Sequence, residues 1–273
     1  MFRLRPSKRT NEILLYCLAL AARKTGVEIH SVVVMSNHHH MVVTDVMGVV
    51  PDFLQEFHLA VSKVLNASQG QWGSLWDGKR AHRAPLVEDE DVLREMAYSI
   101  ANPVAAGLVE RPSEWPGVLL WGERRVVVRR PDDYFDPSGN MPEELELVIT
   151  KPRVRMAGWE RRLEAEVAAL VTKAHRAMKA SGRKFLGKAR VLATSILAMA
   201  TSTEEKRGLV PRVAAIRQEV RIEVLRWYRR FQGAYRVALE AWRGGNREAV
   251  FPAGTWWMRV HHGARVSASI DPI

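Results

Sequence analysis

"VEIHSVVVMSNHHHMVVTD", residues 27–45, holds two β-branched runs separated by Ser36-Asn37. Val27–Met35 has the composition and length of a buried strand, and the serine–asparagine pair is a turn former. The chain then resumes as "HHHMVVTD", so the stretch predicts a β-hairpin. Successive side chains of a strand point to opposite faces, which puts His38 and His40 on one face and His39 on the other. His38 and His40, ~6–7 Å apart by strand geometry, can both reach one divalent ion.

Around the hairpin the elements alternate without a repeated βαβ spacing. A short strand is expected at 1–6, then a helix at about 11–24 capped by Thr10 or Asn11 and ended by Thr25-Gly26. Pro51 opens a helix to about Asn66, with Phe53, Leu54, Phe57, Val61 and Leu65 at helical spacing. The glycine-rich loop "ASQGQWGSLWDGKR" follows. Glu88-Asp89-Glu90-Asp91 favours the positive end of a further helix, which Pro103 is expected to stop near Asn102. The pattern predicts an α+β fold, an antiparallel sheet with helices packed on it, over residues 1–130. Residues 131–157, rich in proline and charge, read as a linker or insert. Residues 158–273 read as a basic, mainly helical extension, with helices at 158–180, 187–201 and 212–243 and a strand or extended tail in "VFPAGTWWMRVHHGARV".

With 273 residues and 47% hydrophobic content, the chain is long enough to bury one or two cores. Cys17 is its single cysteine, which excludes an internal disulfide and a cysteine-based zinc site from this chain alone and fits a reducing, cytoplasmic setting. The start resembles a signal peptide, but its apolar run from Ile13 to Ala22 is shorter than the ~20 residues a membrane span needs, and Glu12 borders it. It reads as a folded helix, with no membrane partner expected. The net charge is +11, of which +2 falls in residues 1–130 and +9 in 131–273. Such an excess favours a polyanionic partner, because lysine and arginine release condensed counterions on meeting phosphates.

Two histidines do not make a metal site, and a third donor is needed. In "YSIAN", Tyr98 and Asn102 stand four positions apart on one helical face. An amide oxygen beside a phenol can complete a metal shell while the phenol attacks a phosphate held there. Magnesium or manganese suits such oxygen donation better than zinc does.

"VVVMSNHHHMVV" resembles the histidine–hydrophobic–histidine motif of single-tyrosine HUH transposases of the IS200-like superfamily, and within them the REP-associated tyrosine transposases. "YSIANPVAAGLV" is similar to that family's tyrosine helix, and "GSLWDGK" to its loop around a Leu-Trp pair. The resemblance covers roughly residues 11–122, in the family's order. It implies a ferredoxin- or RRM-like HUH palm, His38, His40 and Asn102 as ligands of Mg2+ or Mn2+, and Tyr98 as the nucleophile. Ser36 stands where the family has proline, His39 where it has an apolar residue, and Ala105 where it has arginine. The last departure puts a DNA contact in doubt and leaves the catalytic set intact.

The implied activity is cleavage and rejoining of single-stranded or hairpin DNA through a 5′-phosphotyrosine, by a cytoplasmic, nucleoid-associated monomer or homodimer. The alternative is a domesticated protein that binds hairpin DNA without cutting it. Trp72 and Trp76 are candidates for base stacking, with Lys79 and Arg80 beside them. Arg183 and Lys184, in "RKFLGKAR", are candidates for phosphate contacts, as is "RWYRRFQGAYR" at 226–236.

Overall fold

A computed structural model describes residues 1–76, 81–134, 141–200 and 213–267. The apolar run near the start forms helix α1 (Lys8–Thr25), whose residues Ile13, Leu14 and Tyr16–Ala21 are all buried. Its N-terminal cap is Ser7, whose side chain accepts from the Thr10 N–H at 3.0 Å, and Gly26 closes it in the left-handed conformation at φ 72°. The cap lies one turn earlier than the sequence predicts. Residues 1–6 form no strand. Leu4 donates its N–H to Ser36 O at 2.9 Å, while the Arg3 guanidinium holds Asn66 Oδ1 at 2.7 Å and Gln69 Oε1 at 3.1 Å. These side-chain bonds tie the N-terminus to the end of α2 and leave no ladder for it to join.

Strands β1 (Glu28–Val34) and β2 (His39–Thr44) form the predicted hairpin, antiparallel, with Val34 opposite His39 and Val33 opposite His40. Met35 N–H donates to His38 O at 2.8 Å across the Ser36-Asn37 turn. A bulge between Ile29 and Ser31 shifts the register, and Ile29 joins the same apolar cluster as Val32 and Val34. At the far end of β2, Asp45 turns the chain into helix α2 (Val50–Gln69): its carboxylate accepts from the N–H groups of Met47, Val49 and Val50 at 2.8–3.2 Å.

Helix α3 (Asp89–Ala105) begins with the acidic run and a reciprocal cap between Glu88 and Asp91. It passes through Pro103 rather than stopping at Asn102, since Ala106 N–H still reaches Asn102 O at 2.9 Å and the proline itself is buried. Strands β3 (Leu119–Trp121), β4 (Arg124–Arg129) and β5 (Glu144–Ile149) complete a five-stranded sheet. The order is β2-β1-β5-β4, with β3 also on β1. The sheet is mixed rather than wholly antiparallel, because β1 meets β5 in parallel at Ile29 and Ile149. The segment 131–157, expected as a linker or insert, thus supplies a strand whose Leu145, Leu147 and Ile149 are buried.

Helices cover both faces. α1 and α2 enclose one core with Val32, Val34, Met41 and Val43, and α3 packs on Val42 from the other side with helix α4 (Trp159–Ala180). The region beyond 158 is mainly helical as predicted: α5 (Lys188–Ala193), α6 (Gln218–Arg243) and α7 (Trp256–His262) follow. α5 ends well before 201, because the backbone turns extended at Thr194. Where a strand or extended tail is expected, the chain instead forms α7, flanked by a bridge between Phe251 and Val266. Among the described residues, no helix is long and apolar enough to cross a membrane.

Candidate metal and tyrosine site

Alternation along β2 decides which imidazole meets which helix. His40 faces α3, where its ring lies edge-on to Tyr98 with centroids 5.7 Å apart, and its Nε2 is 3.3 Å from Asn102 Nδ2. His38, just before β2, sets its ring at 86° to His40 with centroids 4.9 Å apart, and its Nδ1 lies 2.7 Å from Asn37 Oδ1. Tyr98 and Asn102 occupy one face of α3, the phenol 37% exposed and the amide buried. The structure therefore brings His38, His40, Asn102 and Tyr98 into one cluster.

Burial pushes the His40 imidazole down to about 4, with the neighbouring His38 as a smaller cause, so it is neutral near pH 7. A neutral ring offers a nitrogen lone pair, here accepting from the Asn102 amide, and the same lone pair is what a cation would take. A half-turn of that amide would bring its oxygen to where its nitrogen stands. Two imidazoles and an amide oxygen form a donor set that fits a divalent ion. Among the described residues, no group of three or more His, Cys, Asp or Glu side chains gathers around such a point.

His39 takes the opposite face and meets α2. Its Nε2 lies 2.9 Å from His58 Nε2, its ring packs edge-on to Phe57 and Trp76, and its Nδ1 is buried without a hydrogen-bond partner. Desolvation lowers His39 to about 3 and His58 to about 4, so one neutral ring donates to the other. His58 was not foreseen from the sequence, where nothing but its residue type distinguishes it from its helical neighbours. A cavity of about 910 Å³ runs along the free edge of β2, walled by His38, His39, His40, His58 and His82, with Glu95 of α3 one turn before Tyr98.

Of the remaining candidates, Trp76 lines the same cavity. Trp76 packs its ring 4.4 Å from that of His58 and donates its N–H to His58 O at 3.0 Å, which seats the loop on α2. Trp72 is 95% exposed. Lys79 and Arg80 lie outside the described residues. Arg183 and Lys184 line a separate cavity of about 570 Å³ with Arg176, Lys179 and His175, beyond the C-terminal end of α3 and away from the histidine cluster. Comparison with protein-family models, curated proteins and solved structures finds no match, so the functional reading rests on the residues and their arrangement.

Proposed function

We propose that this chain is a single-tyrosine DNA nicking and joining enzyme of the HUH transposase type, acting on single-stranded or hairpin DNA. The supporting observation is the meeting of two sequence blocks that resemble that family: the His40 and Tyr98 ring centroids, from β2 and α3, lie 5.7 Å apart, with the Asn102 amide at His40 Nε2.

His38, His40 and Asn102 would hold Mg2+ or Mn2+, which when bound polarises a phosphodiester and offsets charge growing on its oxygens. The rest belongs to the chain. His40, neutral through burial, presents a lone pair without first losing a proton. α3 fixes the phenol and the amide one turn apart on a rigid element, and Tyr98 is partly exposed, so a strand can approach it. Tyr98 Oη forms a bond to phosphorus, the bond from phosphorus to the 3′ oxygen breaks, the phenolic proton passes to solvent, and the 3′ oxygen takes up a proton. The product is a 5′-phosphotyrosine and a free 3′-hydroxyl. Since the ester link is retained, a 3′-hydroxyl can reverse the step and join strands without ATP.

The test is incubation with labelled hairpin oligonucleotides and Mg2+ or Mn2+, followed by denaturing electrophoresis. A covalent protein–DNA band is expected with the parent chain and none with Tyr98→Phe. Equal cleavage by Tyr98→Phe would defeat the covalent mechanism, and hairpin binding without an adduct in either metal would leave a binding-only protein.

A further inference from the structure

Helix α6 is held at its two ends and carries an unusual face between them. At its start, Ile216 N–H donates to Asp91 Oδ1 at 2.9 Å, Arg217 pairs with Glu88 at 3.1 Å, and Val224 is buried with Val87 and Val213. Towards its end, Ala238 is buried against Phe251 and Met258 of the α7 unit. That unit is fastened to the start of α2, since Trp256 Nε1 donates to Asp52 Oδ2 at 2.9 Å and Arg259 binds Met47 O. Val50 and Val87, at the beginnings of α2 and α3, both line the histidine cavity. The 26 residues of α6, about 39 Å at helical rise, therefore run from the start of α3 to the unit fastened at the start of α2.

Val224, Trp227, Phe231, Tyr235 and Ala238 are spaced by three or four residues and so lie on one stripe. The ends of the stripe are buried against the body, so its middle faces the same way. There the rings lie nearly parallel to one another: Trp227 and Phe231 at 5.8 Å and 25°, Phe231 and Tyr235 at 6.4 Å and 20°, with Tyr228 at 16° to Phe231. Trp227, Tyr228 and Phe231 belong to none of the apolar clusters among the described residues. From Arg226 to Arg236 the chain has four arginines and no acidic residue, and Arg226 and Arg230 sit one turn apart on the exposed side of the helix, roughly a third of a turn around from the stripe.

We infer that the middle of α6 is a stacking platform for single-stranded DNA that crosses between α6 and the histidine cavity. Near-parallel aromatic rings present π faces to bases, and flanking guanidinium groups neutralise the phosphates beside them. A duplex hides its base faces and cannot use such rings. A second copy of α6 would bring arginines against arginines, which opposes self-association through this face. The inference deepens the proposed function and rests on DNA being the partner.

The experiment is fluorescence anisotropy with a labelled oligothymidylate about 20 nucleotides long, in EDTA so that no cleavage intervenes. Trp227→Ala and Phe231→Ala should each raise Kd about 5- to 150-fold, the range of base–aromatic stacking expressed as a ratio. Arg226→Gln with Arg230→Gln should lower the slope of log Kd against log salt by ~0.7 for each lost phosphate contact. Circular dichroism identifies any variant that fails to fold, and the arginine pair, at the solvent side of the stripe, then carries the test. Unchanged affinity and salt slope in folded variants would overturn the platform, as would a shift in sedimentation from dimer to monomer with unchanged DNA affinity. Affinity is read in EDTA and the adduct in Mg2+ or Mn2+, so failure of the proposed cleavage and failure of the platform are read separately.

Discussion

Asn102 Nδ2 stands 3.3 Å from His40 Nε2, joining α3 to the edge strand across 62 positions of sequence. Neither residue is charged at neutral pH, so the contact is a neutral hydrogen bond in which the amide donates. A divalent cation taken up here would replace that donor with its own charge and require the amide to offer its oxygen instead. Asn102→Leu removes that oxygen while keeping the volume. It should reduce adduct yield at limiting Mn2+ by ~10-fold or more, in the range seen when groups supporting a metal are lost, and the deficit should narrow as Mn2+ is raised. A titration of adduct against metal concentration measures it, and an unchanged midpoint would remove Asn102 from the metal set.

The His39–His58 pair supports a stability prediction. Replacing one partner leaves the other's buried nitrogen without a bond, at a cost of ~1–3 kcal/mol, whereas replacing both with apolar residues is close to neutral. His39→Leu and His58→Leu should each lower the urea midpoint, and the double variant should recover most of the loss. Additive losses in the double-mutant cycle would show that the 2.9 Å contact contributes nothing.

Acid should unfold the protein by a route the same rings define. Unfolded imidazoles take up protons near 6.5, but in the fold burial holds His39 at about 3 and His40 and His58 at about 4, and lowers His30 as well. Between those limits the unfolded chain binds more protons. The fold's stability is therefore complete above about pH 6.5 and is lost as pH falls towards 4, by up to ~1.4 kcal/mol per pH unit for each imidazole kept neutral. Urea midpoints measured in EDTA across that window should fall, and less steeply in the His39→Leu/His58→Leu variant. An equal slope in both would assign the acid sensitivity elsewhere.

Strand β5 makes a truncation informative. A chain ending at residue 130 lacks Leu145, Leu147 and Ile149, which are buried in the core with α1. It should be expressed without a cooperative unfolding transition. In the full chain, Leu147→Ala should cost ~2–5 kcal/mol, as large-to-small core changes do. A folded 1–130 fragment would show that the sheet closes without β5.

The hairpin and the division of the three histidines were legible because alternation is local: His40 turns to Tyr98 and His39 to Phe57 with no further information needed. The tyrosine helix was legible from its acidic start and its four-residue spacing. β5 carried its own signal, since "ELELVI" alternates charged and apolar residues, but the prolines around it suggested an excursion from the sheet, and pairing with β1 depends on contacts more than a hundred residues away. α7 was missed because "TWWMRVHHG" favours strand by residue type, while the Thr255 entry and the Gly263 stop, at φ 61°, define a two-turn helix. His58 was invisible for a different reason: its role arises from where α2 crosses β2, which no spacing within α2 encodes.

The run His38-His39-His40 is followed by Met41-Val42-Val43, so a slip of β2 by one residue would still put an imidazole opposite Tyr98 and an aliphatic side chain into each core. The strand's own residues are nearly synonymous in either frame. What fixes the frame lies at its ends: the Met35–His38 bond across the turn, the Thr44 hydroxyl 2.7 Å from His30 Nε2, and the Asp45 carboxylate on the first N–H groups of α2. Thr44 and Asp45, which no chemistry at the tyrosine requires, thus act as the punctuation that decides which of three identical histidines turns to Tyr98.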